Sequence, residues 1–317
     1  MNYIGIDLGG TNIAIGIVNE NGDIIIKGST PTLKERPTEE IINDMVKLCH
    51  TLCNKSCISL DEIESVGVGC PGAVDDKRGI VSYCNNIPMH NYPMGEILGK
   101  KLNKKVTIAN DANAAAYGEY IKNGKNCESF LMVTLGTGVG AGLILNGKIF
   151  SGFNGVASEA GHMTLIHDGV QCSCGKKGCW EAYASVTGLI RQTREAAKNH
   201  PESSMNENIK RRGRASGRTA FDEAKKGDTT AKAVVEKYCA YVADGLTSLI
   251  NIIEPERVCI GGGISREGDY LLNPIKEWVN KNEYNRYCKK TVIETATLFN
   301  DAGIIGAALS GSFSEKG

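Results

Sequence analysis

The chain has 317 residues, long for one hydrophobic core, so about two domains are expected. Hydrophobic residues make up 41% of it, which excludes a disordered composition. Lysine plus arginine equals aspartate plus glutamate at 36 each, so no overall field draws the chain to nucleic acid or an anionic membrane, and an anionic substrate needs a local site.

Residues 3–8 read as a strand, Gly9-Gly10-Thr11-Asn12 as a turn, and 13–18 as a second strand. Asn21-Gly22 turns the chain again into 24–27. Apolar positions at Ile41, Ile42, Met45, Leu48 and Leu52 predict a helix over 38–56 with Thr38 as its N-cap. Strands follow at 65–69 and 105–109, then an alanine-rich helix at 112–121. The opening pattern then returns: strand 129–135, Gly/Thr turn 136–140, strand 141–145, Asn146-Gly147 turn, and a third strand from 148. A repeat at that spacing points to two similar domains. Helices are expected near 182–198, 219–226, 229–253 and 269–281 and from about 301, with strands at 257–260 and 291–295. The polar stretch 199–218 has five basic residues from Lys210 to Arg218 without interleaved aromatics, and reads as a solvated loop or short exposed helix. Met1-Asn2-Tyr3 leads straight into a strand, and no run of about 18 apolar residues occurs, so a cytoplasmic protein without a membrane partner is expected.

Five motifs carry possible chemistry. Asp7-Leu8-Gly9-Gly10-Thr11-Asn12 offers glycine N–H groups and side-chain donors to phosphate oxygens, and Asp7 suits a hydrated Mg²⁺; a tight hairpin needs the same glycines. Gly136-Thr137-Gly138 repeats that chemistry at the same place in the repeated unit, so two such turns can clamp one polyphosphate. Gly261-Gly262-Gly263 after a buried strand allows a flat ligand such as adenosine against bare backbone, or simply a tight turn. In Asn110-Asp111-Ala112-Asn113, a carboxylate between a strand end and a helix start suits a general base, and Asn or Asp there equally suits an N-cap. Of 12 cysteines, nine stand singly, at 49, 53, 57, 70, 84, 127, 239, 259 and 288. Cys172, Cys174 and Cys179 crowd together downstream of His162, and a Cys₃His set is the donor content of a structural Zn²⁺ site, with free thiols or a redox pair as the alternative. Glu159 and Glu181 flank these ligands and can accept hydrogen bonds from a polyol.

With Leu135 to His162, Cys172-Ser173-Cys174-Gly175 and Gly178-Cys179-Trp180-Glu181 in this order, the chain resembles the ROK sugar kinases over essentially its whole length. The resemblance implies an α/β, actin-like ATPase (ribonuclease H-like) fold of two domains with an interdomain active-site cleft. The small domain would comprise 1–109 and the C-terminal helix 297–317, and the large domain 110–296. It implies ATP and Mg²⁺, with nucleotide contacts at Gly9 to Thr11, Gly136 to Gly138 and Gly261 to Gly263. Asp111 would be the base, and Gly72, Asn86, Asn110, Glu159, His162 and Glu181 would contact the sugar. His162 would also hold zinc. Homodimers or homotetramers are usual in that family. Tyr83-Cys84-Asn85-Asn86-Ile87 and Cys179 to Ser185 are similar to glucokinases of Gram-positive anaerobes, which implies transfer from ATP to the 6-hydroxyl of glucose. Pro88-Met89 stands where those enzymes often carry an aromatic. The alternatives are a kinase for N-acetylmannosamine, N-acetylglucosamine, fructose or allose, and a non-catalytic sugar-sensing regulator. The regulators of the family carry an N-terminal helix-turn-helix, for which the phosphate turn beginning at Asp7 leaves no room.

Overall fold

The computed structural model describes residues 1–84 and 87–311. Its strands are β1 (Asn2–Leu8), β2 (Asn12–Asn19), β3 (Ile24–Pro31), β4 (Ile63–Cys70), β5 (Ala73–Asp75), β6 (Ile80–Tyr83), β7 (His90–Tyr92) and β8 (Val106–Asn110). They are followed by β9 (Ser129–Leu135), β10 (Val139–Leu145), β11 (Lys148–Ile149), β12 (Arg257–Gly261) and β13 (Val292–Thr295).

Two five-stranded sheets have matching orders, β3-β2-β1-β4-β8 and β11-β10-β9-β12-β13. In the first, β1, β2 and β3 form an antiparallel meander, while β4 and β8 run parallel to β1. The second sheet begins from the antiparallel β10–β11 hairpin and ends with the parallel pair β12–β13. The repeat seen in the sequence is therefore a repeat of sheet order. This is the α/β, actin-like fold of two domains that the resemblance implies.

Residue contacts divide the chain into two compact units, Met1–Met132 with Gly142–Ser158 and Leu298–Gly317, and Val133–Ala141 with Glu159–Thr297. This grouping differs from the expected division at 109/110. The helix Asp111–Glu119 belongs to the first unit because it lies directly against the helix Asp301–Ser310. Glycine makes that approach possible: a Cβ on Gly118 would strike the carbonyl of Ala302, and one on Gly306 that of Ala114. The fully buried isoleucines of β1 and β2 (Ile4, Ile6, Ile13, Ile15 and Ile17) pack with Ile41, Ile42 and Met45 of the helix Thr38–Ser56 in the core of the first unit.

Several local expectations shift. Thr38 does not cap its helix; the N-cap is Pro37, and the Thr38 hydroxyl donates to Pro88 O at 2.9 Å. The small sheet β5-β6-β7 and the helix Met94–Leu102 were not legible, being short segments with few periodic positions. The stretch 199–218 contains the helix Met205–Arg212, ended by Gly213 at φ 72°, and held by Asn208 Nδ2 donating to Glu223 Oε1 at 2.7 Å. Among the described residues no helix is long and apolar enough to cross a membrane.

Candidate active site

In the first unit the parallel strands end together. The register pairs Asp7 of β1 with Gly69 of β4, and Cys70 of β4 with Asn110 of β8. The carboxyl ends of these strands thus carry Asp7 and, one residue beyond β8, Asp111, the usual location of ligands in sheets of this kind. Asn110 is the N-cap of Asp111–Glu119: its Oδ1 accepts from Ala112 N at 2.9 Å and Asn113 N at 3.2 Å. Its Nδ2 donates to Gly72 O at 3.0 Å, which ties Gly72 to the helix start. Gly72 has φ 96°, and a side chain there would strike the Tyr83 carbonyl. The capping reading therefore belongs to Asn110, and Asp111 is left at the first helical position. Asp111 Oδ1 accepts from Ala112 N at 2.8 Å. Burial raises the Asp111 carboxyl above its ordinary value, and the backbone N–H groups at the helix start pull it part of the way back. Asn86 lies outside the described residues.

The first Gly/Thr turn is held from within. Gly9 N donates to Asn12 O at 2.9 Å. Thr32, at 0% exposure, donates its hydroxyl to Gly9 O at 2.6 Å and its N–H to Thr11 O at 2.9 Å. Three carbonyls of the turn are engaged in this way, so fewer acceptor oxygens face an incoming anion. Gly10 is partly exposed, and Thr11 and Asn12 are exposed. The Asp7 carboxyl packs on the last helix, where a Cβ on Gly303 would come 2.9 Å from its Cγ. Burial, reinforced by the Asp111 charge, pushes Asp7 up to about 6.

The second unit brings together the other candidates. Gly136 N donates to Gly138 O at 3.0 Å, and the turn is held from outside by Val186 N on Gly136 O at 2.8 Å and the Thr187 hydroxyl on Thr137 O at 2.7 Å. Glu181 Oε2 accepts from Val139 N at 2.9 Å and fills the space a Gly138 side chain would need. Its Oε1 accepts from Ser173 Oγ at 3.2 Å and faces Cys172 Sγ at 3.7 Å. Glu181 thus bridges the Gly/Thr turn and the cysteine loop, while a carboxylate still has lone pairs for a further hydroxyl donor. Gly262, with φ 88°, lies against the backbone of Leu135, and Gly263 has open space beside it. Glu159 is exposed and its carbonyl accepts from His162 N at 3.0 Å.

One ligand atom each from His162, Cys172, Cys174 and Cys179 lies within 4.8 Å of all the others. Cys174 Sγ and Cys179 Sγ are 3.6 Å apart, and Cys172 Sγ is 3.8 Å from His162 Nδ1. A tetrahedron with zinc–sulfur bonds of about 2.3 Å has edges of about 3.8 Å, so the donor set fits that ion. The loop is shaped by Cys172 N on Lys176 O at 2.8 Å and pinned by Lys176 Nζ on His162 O at 3.0 Å. Trp180 is a core residue, fully buried with its indole N–H on Tyr241 O at 2.8 Å and its ring in the space beside Gly245. Thr32 and Gly303 escaped the sequence reading, which also gave Ser173 no role beyond its place in the cysteine motif. Only Gly303, a glycine inside a helix, carries a signal of close approach.

Comparison with known proteins places these residues in a family setting. The ROK family model matches residues 3–310. A glucokinase of Halalkalibacterium halodurans is 35% identical, with 96% of this chain and 93% of that one covered. A glucokinase of Thermotoga maritima is 36% identical over 97% of this chain and 96% of its own. Among solved structures, a ROK family glucokinase from Streptomyces griseus in complex with glucose and AMPPNP superposes with a TM-score of 0.82 at 32% identity, covering 97% of this chain and 98% of that one. The chain belongs to the ROK family.

Proposed function

We propose that this protein is a glucokinase, transferring the γ-phosphoryl group of ATP to the 6-hydroxyl of glucose. The observation that carries the reading is the division of labour at the helix start, where Asn110 takes the cap and Asp111 keeps a carboxylate for chemistry. Asp111 accepts the hydroxyl proton as the sugar oxygen bonds to the γ-phosphorus and the bond to the β,γ-bridging oxygen breaks, releasing ADP. The Gly9–Thr11 and Gly136–Gly138 turns cradle the phosphates and Gly261–Gly263 takes the adenosine. Asp7 orients hydrated Mg²⁺; a buried carboxylate raised by a second carboxylate is the donor chemistry a divalent cation relieves. Gly72, Asn86, Asn110, Glu159, His162 and Glu181 hold the sugar.

In the same reading Zn²⁺ sits on His162, Cys172, Cys174 and Cys179 as a structural ion. His162 has Nδ1 toward the sulfurs, so its Nε2 is on the opposite ring edge, available to a hydroxyl. The cytoplasm as location and a homodimer or homotetramer as assembly complete the proposal. A coupled assay of kcat/KM over glucose, N-acetylmannosamine, N-acetylglucosamine, fructose and allose tests it. Preference for another sugar would overturn glucose, and no sugar-dependent ADP release would favour a sugar-sensing regulator.

A further inference from the structure

A cavity of about 390 Å³ lies wholly within the first unit. Its wall includes Thr107 of β8, Asn110 and Asn113 at the start of the helix Asp111–Glu119, Lys77 after β5, and Lys148 of β11. Neither Asp7 nor Asp111 lines it, so it is separate from the reacting groups of the proposed function.

Two independent features mark it as a ligand site. The first is unmet acceptor capacity. Asn113 is only 4% exposed, and its Oδ1 has no hydrogen-bond partner in the protein. The Thr107 hydroxyl is likewise buried without a partner. A buried amide oxygen left unpaired destabilises the fold, so a native fold retains one where something else supplies the donor. The second feature is uncompensated cation. Lys77 and Lys148 are exposed at the cavity and neither has a carboxylate partner among the described residues. A neighbouring cavity shares Tyr117, Gly147 and Lys148 and adds Lys125, again with no carboxylate partner among the described residues. Asp76 is the acidic residue of the wall.

We propose that this cavity is a second small-molecule site, which takes a phosphorylated polyol. Hydroxyls donate to Asn113 Oδ1 and the Thr107 oxygen, and the phosphate meets Lys148 and Lys77 as charge-assisted pairs. The volume falls in the range of small-molecule pockets. Asn110 links the site to the reaction, because it lines the cavity and also caps the helix that begins with Asp111. Asn110 is also one of the proposed sugar contacts, so a ligand here adjoins the sugar site and acts on the position of the base from the far side of that residue.

The test is calorimetric titration of the full-length protein, with glucose in excess, by ribose 5-phosphate. Inorganic phosphate and sorbitol serve as probes that each carry one of the two recognised features. The expected result is one site for ribose 5-phosphate, with each single-feature probe at least ~10-fold weaker, the effect of one lost contact of about 1.4 kcal/mol. Lys77→Glu with Lys148→Glu, both at exposed positions that leave the core intact, should weaken ribose 5-phosphate at least ~10-fold. The same variant should keep glucose turnover within about 2-fold. Hydrogen exchange should slow in β8 and the β10–β11 hairpin on binding, a readout that needs no kinase activity. Absence of binding, affinity unchanged by the charge reversal, or binding that is seen only when glucose is left out would each overturn the proposal.

Discussion

Replacing Asp7 by asparagine should make the free protein more stable while abolishing its activity. The ordinary carboxyl value is 3.8 and burial beside Asp111 raises it to about 6. A raised carboxyl pKa means that the folded protein holds the proton more tightly than the unfolded chain. Stability from this group is therefore full below 3.8, is lost as pH rises toward about 6, and stays lost above. At about 1.4 kcal/mol per pH unit, the cost at neutral pH is at most about 3 kcal/mol. Asparagine has nearly the same shape and no charge, so Asp7→Asn should recover about 1–3 kcal/mol. For a cooperative unit of this size that is roughly 3–9 °C in Tm. The assay is calorimetry in buffer without nucleotide or divalent cation, at pH 7.5 and pH 5. By the same linkage about half of the gain should remain at pH 5. An asparagine variant no more stable than its parent at pH 7.5, or a gain that does not shrink on acidification, would refute the reasoning. The expected trade of stability for activity follows from placing a charge where only a bound cation relieves it.

Other consequences can be measured directly. Asp111→Asn should bind glucose normally and lose kcat by at least ~100-fold, checked by equilibrium binding beside the coupled assay; near-normal turnover would remove the base assignment. Asp111 must be ionised to accept a proton, and burial raises its pKa, so kcat/KM should fall on the acid side with a midpoint above 3.8. A methyl group at Gly138 pushes Glu181 off Val139 N, so Gly138→Ala should raise the KM for ATP by about 10-fold with Tm nearly unchanged. Elemental analysis of untagged protein should find one zinc per chain, and its removal by a chelator should lower both Tm and glucose affinity; fully active protein with under about half an equivalent would end the structural role.

Much of this protein is legible from local pattern alone. The two strand–turn–strand repeats, the Cys₃His set and the Asn110-Asp111 step are encoded in residues close together in sequence. Periodicity, turn chemistry and donor type act over a few positions, and reach the surface of the sequence undiluted. The roles within the motifs are another matter. That Asn110 rather than Asp111 caps the helix depends on which side chain folds back on the N–H groups, and Gly72, 38 residues away, helps to settle it. The Asp7 pKa rises chiefly through burial, and the parallel register of β1, β4 and β8, which brings the distant Asp111 to the same sheet end, adds to it. Glu181 reads as a sugar ligand in sequence, yet its oxygens also join the Gly/Thr turn to the cysteine loop. Trp180 adjoins the cysteines and still belongs to the core. Sequence by itself determined which chemical groups this protein owns and in what order they come. Tertiary structure alone decided which of them are buried, paired or left with an unmet charge or lone pair, because burial and electrostatics depend on neighbours in space that the order of residues does not specify.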